Sequence, residues 1–191
     1  MKKMILFMGA LLLACSIAYA SAREDIAEEG ISHTEEAGPI ADVAALTVDM
    51  MNQQGERIGR ATISENTDKV RIHLEAEGLP PGKHALHFHE FGKCEGPDFK
   101  SAGGHFNPYH TQHGFNNPKG FHAGDLPNIE VDASGKVKVD MISAAVTLKP
   151  GKPNSLKREG GLALIIHAKA DDYMTDPSGA SGDRIACGVV R

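Results

Sequence analysis

Across "KVRIHLEAEG", Val70, Ile72 and Leu74 alternate with Arg71, His73 and Glu75. A period of two marks a strand with one face on a core. "ALTVDM" and "RIGRATIS" carry β-branched residues on either side of the turn sequence "NQQGE". After a break at "LPPG", "KHALHFHEF" resumes as a strand, and "NIEVDASGKVKVDMI" reads as a hairpin turning at "ASGK". Near the end, "LALIIHAKA" and "RIACGVVR" are apolar strand-like runs. The pattern predicts about eight strands and no long helix, an all-β sandwich or flattened barrel. Two long irregular stretches, roughly 90–125 and 168–184, interrupt it, and loops of that length in a compact domain are usually functional or disordered.

The first residues follow another pattern. "MKK" precedes a short apolar run, "MILFMGALLLA", and "AYA" and "ASA" offer small residues for cleavage, so residues 1–22 read as a signal peptide. A second cleavage reading competes: "LLAC" resembles a bacterial lipobox, which would make Cys15 a lipidated first residue. Residues 23–42 are polar and acidic and read as a flexible linker, leaving a domain over 43–191. The expected location is exported and extracytoplasmic, in the periplasm or at the cell surface. Membrane contact would come through a lipid anchor at Cys15. Loss of Lys2 and Lys3 with residues 1–22 takes the formal charge from −5 to −7, so no basic face invites nucleic acid.

The chain has three cysteines. If Cys15 is lipidated or discarded, Cys94 and Cys187 remain as a pair, and export favours a disulfide over two buried thiols.

Of ten histidines, six lie in the 39 positions from His87 to Asp125. His87 and His89 are two apart on a strand, so both project from one face while Phe88 points into packing. His105, His113, His122 and Asp125 lie in the first long stretch, among Gly, Asn and Pro that permit tight turning. Three imidazoles and a carboxylate suit a tetrahedral zinc ion. His167 ends the run "LALIIH", and Asp171 or Asp172 could orient a ligating imidazole through a hydrogen bond.

"HFHEFGKC", "SAGGHFNP", "HAGDLPN", "IIHAKADD" and "GDRIACGVV" together resemble the copper-zinc superoxide dismutases, specifically the exported bacterial members, over about residues 43–191. The resemblance implies an eight-stranded Greek-key β-barrel. It implies copper on His87, His89, His105 and His167, and zinc on His105, His113, His122 and Asp125, with His105 bridging both. It further implies that Asp171 hydrogen-bonds one copper and one zinc histidine, that Arg184 guides and holds superoxide, and that Cys94 and Cys187 form the disulfide. His84, His110, His73 and His33 match no ligand, and of these His84 is expected to hold a structural hydrogen bond. The implied reaction converts two superoxide anions and two protons to dioxygen and hydrogen peroxide. Copper alternates between Cu(II) and Cu(I), and His105 takes up a proton in between.

One feature departs from a cationic funnel for an anionic substrate. The second stretch holds Lys169 and Arg184 but four aspartates, so steering would have to draw on Arg184, the metals and lysines elsewhere such as Lys93 or Lys100. The alternative to an enzyme is a non-enzymatic copper- or zinc-binding protein on the same fold. The complete set of His87, His89, His105, His167 and Arg184 favours the enzyme. A homodimer is compatible with the resemblance, which does not fix the oligomeric state.

Overall fold

A computed structural model describes residues 45–191. The signal-peptide, Cys15, linker and His33 expectations therefore lie outside the described residues. Nine strands are present among the described residues: β1 Leu46–Asn52, β2 Arg57–Asn66, β3 Lys69–Ala76, β4 Gly82–His84, β5 Leu86–His89, β6 Ile129–Val131, β7 Val137–Ser143, β8 Leu162–His167 and β9 Arg184–Val190. A 3-10 turn, Lys100–Ala102, is the sole helical element among them.

All strand pairs are antiparallel, and seven strands form a curled sheet in the order β5-β8-β9-β1-β2-β3-β7. The other two, β4 and β6, pair with each other. That small ladder joins the ends of the large sheet, because β4 runs into β5 and β6 turns into β7. The alternation read from the sequence holds on β3: Val70, Ile72 and Leu74 are fully buried in the main core with Val48, Ile63, Phe88 and Leu164.

Two strand expectations need correction. "KHALHFHEF" is not one strand but β4 and β5, parted at Ala85. There the ladder is replaced by bonds to the end of β8 and the start of the second long stretch: Ala85 N–H donates to Lys169 O (2.8 Å) and His167 N–H donates to Ala85 O (2.9 Å). Counting β4 and β5 as one kinked segment recovers the eight strands anticipated. "NIEVDASGKVKVDMI" does turn at Asp132–Lys136, where Asp132 N–H donates to Lys136 O (2.9 Å), but it does not continue as a simple hairpin. Its arms pair with different neighbours, β6 with β4 and β7 with β3.

Cys94 and Cys187 are bonded, with Cα atoms 5.7 Å apart. The bond ties the first long stretch to β9 beside a small second core of Phe99, Ala102, Ala163 and Ile165. A cross-link over 93 residues stabilises by about 4–5 kcal/mol in the chain-entropy model.

Candidate metal centre

β5 is buried along its whole length, so His87 and His89 point from one face while Phe88 enters the core. Three backbone hydrogen bonds around Phe88 hold the first long stretch against this strand. Phe88 N–H donates to Gly124 O, Gly124 N–H to Phe106 O, and Phe106 N–H to Phe88 O, each at 2.8 Å. The same register sets two isolated bridges, His87 with Asp125 and His89 with His105. A Cβ on Gly124 would collide with Phe88 O, so the approach requires glycine.

Four atoms converge on the inner side of this ring of bonds. Asp125 Oδ1 lies 3.0 Å from His105 Nδ1, 3.0 Å from His113 Nδ1 and 3.5 Å from His122 Nδ1. His122 Nδ1 is 3.3 Å from His105 Nδ1. The edges of a tetrahedron around an ion with bonds of about 2.0–2.1 Å are roughly 3.3 Å. Asp125 Oδ2 faces away and accepts backbone N–H from Gly114 (3.1 Å) and His122 (3.0 Å), which fixes the carboxylate and leaves Oδ1 free to bind.

On the other side of His105 a second set forms from His87, His89, His105 and His167, all buried and close enough to hold one ion. The outer nitrogens of His87, His89 and His167 have partners that fix where the proton sits. His89 Nδ1–H donates to Gly103 O (3.0 Å), His87 Nε2–H to Asp171 Oδ2 (2.9 Å), and His167 Nδ1 meets Ser181 Oγ (3.1 Å) and Gly182 O (3.2 Å). The nitrogens left over face inward: His89 Nε2 and His167 Nε2 are 3.3 Å apart. His87 Nδ1 and His105 Nε2 are buried with no hydrogen-bond partner. Buried polar atoms are rarely orphaned, so these two nitrogens fit a coordinated ion. Proximity alone also groups His87 with His105, His113 and Asp125. The contacts of His122 make it the better fourth member of that set, because its Nδ1 stands 3.3 Å from His105 Nδ1 and 3.5 Å from Asp125 Oδ1.

Asp171 ties the two sets together. Its Oδ1 accepts from His113 Nε2–H (2.9 Å) while Oδ2 accepts from His87. Sequence reasoning placed Asp171 but missed what holds it. Asn128 donates to Asp171 O (2.9 Å) and accepts from Asp171 N–H (2.8 Å), and Tyr173 Oη accepts from Asn128 N–H (2.7 Å). Gly179, at φ +65, leaves room where any Cβ would strike Asp171 Oδ1. Asp176 was also missed: it accepts from His113 N–H (2.7 Å) and pins the two long stretches together. No motif or spacing in the sequence around Asn128, Tyr173 or Asp176 pointed at the centre.

Arg184 sits opposite His167 in the β8–β9 ladder. Its guanidinium donates to Phe99 O and Gly103 O, both at 2.6 Å, and Gly103 O is the same acceptor that orients His89. Arg184, His89, His105 and His167 line one open cavity of about 750 Å³. Lys93 and Lys100 do not line it, and Lys100 is paired with Asp98 at 2.8 Å. His84 holds the structural role anticipated, bonding His167 O (2.8 Å) and Pro80 O (2.7 Å). His110 lies at the cavity wall and His73 pairs with Asp140 on the exposed sheet face; neither joins the metal sets.

The electrostatics follow from burial. Burial and neighbouring imidazoles push His105 down to about 4 and His167 down to about 3, and burial takes His89 far below 6.5. These rings are neutral and ready to ligate near neutral pH. Burial also opposes a charge on His113, but hydrogen bonds to Asp125 and Asp171 outweigh it and lift His113 to about 9. Asp125 and Asp171 resist burial in the same way and stay far below the usual carboxylate range, held by His105 and His113 for Asp125 and by His113 and His87 for Asp171. In the metal-free chain a proton on His113 thus takes the part of a cation between two carboxylates.

Two adjoining histidine sets, each able to hold an ion, on a curled antiparallel sheet define a class of metalloprotein. The chain belongs to the copper/zinc superoxide dismutase family, whose model matches residues 57–190. It is 54% identical over 153 residues to "Superoxide dismutase [Cu-Zn] 1" of Aquifex aeolicus, covering 80% of this chain and 90% of that one. It is 50% identical over 145 residues to "Superoxide dismutase-like protein YojM" of Bacillus subtilis, covering 75% and 74%. The solved structure of a SOD-like protein from Bacillus subtilis superposes with a TM-score of 0.73 at 48% identity, covering 76% of this chain and 97% of that one. The Brucella abortus Cu/Zn superoxide dismutase superposes with a TM-score of 0.64 at 29% identity, covering 77% and 99%. The chain is accordingly an oxidoreductase that uses copper and zinc to dismute superoxide.

The shifted histidines predict how the metal-free chain responds to pH. His105 and His167 fall from 6.5 to about 4 and about 3, so their stabilisation is complete above 6.5 and is lost as pH falls through those values. His113 rises from 6.5 to about 9, so its contribution is complete below 6.5 and is lost as pH rises through 9. Calorimetry of chelator-treated protein should give a Tm that peaks between these limbs. A Tm that rises steadily to pH 9 would contradict the His113 assignment.

Proposed function

We propose that His87, His89, His105 and His167 hold the copper of this dismutase, and that His105, His113, His122 and Asp125 hold its zinc. The observation that carries the assignment is the pair of buried, partnerless nitrogens, His87 Nδ1 and His105 Nε2. His105 supports a bridging role because neither of its ring nitrogens meets a backbone carbonyl or other outer acceptor: Nδ1 faces the Asp125 set and Nε2 faces the histidine set. Imidazole suits both metals, and losing both ring protons is feasible between two cations.

Bound copper supplies one-electron exchange with superoxide in both directions, so two anions and two protons yield dioxygen and hydrogen peroxide. The residues do the rest. Arg184 offers a fixed positive charge beside the inner nitrogens of His89 and His167, where a small anion would sit. Gly103 O orients both Arg184 and His89, so the anion site and one ligand are held by one acceptor. His105 Nε2, buried on the histidine side without a partner, is the ring atom that could hold a proton for the reaction. Asp171 keeps His87 and His113 in fixed tautomers through one carboxylate.

The non-enzymatic reading, a metal-binding protein on the same fold, is disfavoured by the full histidine set and the adjoining arginine. We further read residues 1–22 as an export signal, with Cys15 either lipidated or discarded. Intact mass of the mature chain separates these two, a diacylglycerol adduct at Cys15 marking the lipoprotein. Replacing His89 by Ala should remove copper and dismutation while zinc content and folding persist. Dismutation at the unmodified rate by His89→Ala would overturn the copper assignment.

A further inference from the structure

Arg184 is not the lone cation at the cavity. The connection from β7 to β8 brings Arg158 to the same wall. Its guanidinium carbon stands 5.4 Å from the centroid of the Phe106 ring. Phe106 is buried, directly follows His105 and belongs to the backbone ring around Phe88. The backbone beneath Arg158 is fixed as well: its carbonyl accepts from Gly161 N–H (3.0 Å), and Gly160 O packs so close to Gly92 that a Cβ there would collide.

The surroundings of Arg158 differ from those of the paired surface cations. Arg57, Arg71, Lys136, Lys138 and Lys149 each contact a carboxylate. Arg158 is exposed and makes no ion pair among the described residues; it rests on an aromatic face instead. A cation held over a ring is positioned without being neutralised. The cavity wall also carries two carboxylates, Glu90 and Asp176. With Arg184 alone, one fixed cation would face both, and an anion would meet net repulsion from the side chains. Arg158 balances the second carboxylate on the wall.

We propose that Arg158 is an outer positioning residue for superoxide, a second guanidinium that draws the anion into the cavity ahead of Arg184. It rests on the dismutase reading and adds a residue that neither motif spacing nor the metal sets identify. The effect is Coulombic and local, because salt screens charges beyond about 8–10 Å at physiological ionic strength. It therefore acts on encounter rather than on the metals.

The test is kcat/KM for superoxide by pulse radiolysis, on copper- and zinc-loaded protein of verified metal content. At about 0.01 M ionic strength the Debye length is roughly 30 Å, and at about 1 M it is roughly 3 Å. At low ionic strength Arg158→Gln should lower kcat/KM by roughly threefold and Arg158→Glu by more, as expected for lost steering. Arg158→Lys should keep the unmodified rate. All four proteins should converge at high ionic strength. Arg158→Glu with the unmodified rate and salt dependence would overturn the proposal. So would a loss in Arg158→Gln of equal size at both ionic strengths, which would mark a packing role on Phe106. An inactive metal-loaded parent chain would instead remove the dismutase reading, and this proposal with it.

Discussion

Three backbone hydrogen bonds, closing a ring through Phe88, Gly124 and Phe106, are what the centre hangs from. The residues adjoining this ring are His87 and His89 on β5, His105 before Phe106, and Asp125 after Gly124. Four of the proposed ligands are thus placed by backbone geometry, with no reliance on side-chain preference. The ring in turn depends on the core, because Phe88 is fully buried and its strand pairs with β8, which ends in His167. A site on rigid elements is held more closely than one on loops alone. Here a long irregular stretch acquires that rigidity by being bonded to a strand at Phe106 and Gly124.

The same arrangement makes the metal-free centre electrostatically costly. Six imidazoles and two carboxylates are buried together, and buried charges and unpaired polar atoms are unfavourable without partners. The carboxylates offset part of this by holding a proton on His113, and the histidines on the other side respond by staying neutral. Two cations would satisfy both sides at once. They would take the free nitrogens of His87 and His105, displace the proton on His113, and leave Asp171 bonded to one histidine from each set. Metal binding and order in the first long stretch are then one process.

Much of this was legible in the sequence. The period-two alternation on "KVRIHLEAEG" gave β3 its inward face correctly, and the spacing of His87 and His89 placed both on one side of a strand. The proposed ligand positions rest on motif order. What was not legible depended on pairing at a distance. The break at Ala85 arises from its bonds to Lys169 and His167, far along the chain, and no local residue signals it. β6 and β7 part company because each has a better partner elsewhere. Asn128, Tyr173 and Asp176 are ordinary loop residues until tertiary contacts bring them to Asp171 and His113. Arg158 sits in a polar run whose spacing relates to no motif, and its role appears only when the connection folds across Phe106. Lys93 and Lys100, nearer the motifs, fall outside the cavity.

The central claim is that one imidazole, His105, stands between two differently built metal sets. Its most direct test is a crystal structure of the copper- and zinc-loaded chain with anomalous data at both metal edges. The account predicts copper on the side of His105 Nε2, with His87, His89 and His167, and zinc on the side of Nδ1, with His113, His122 and Asp125. A single ion, or two ions of which only one contacts His105, would contradict it.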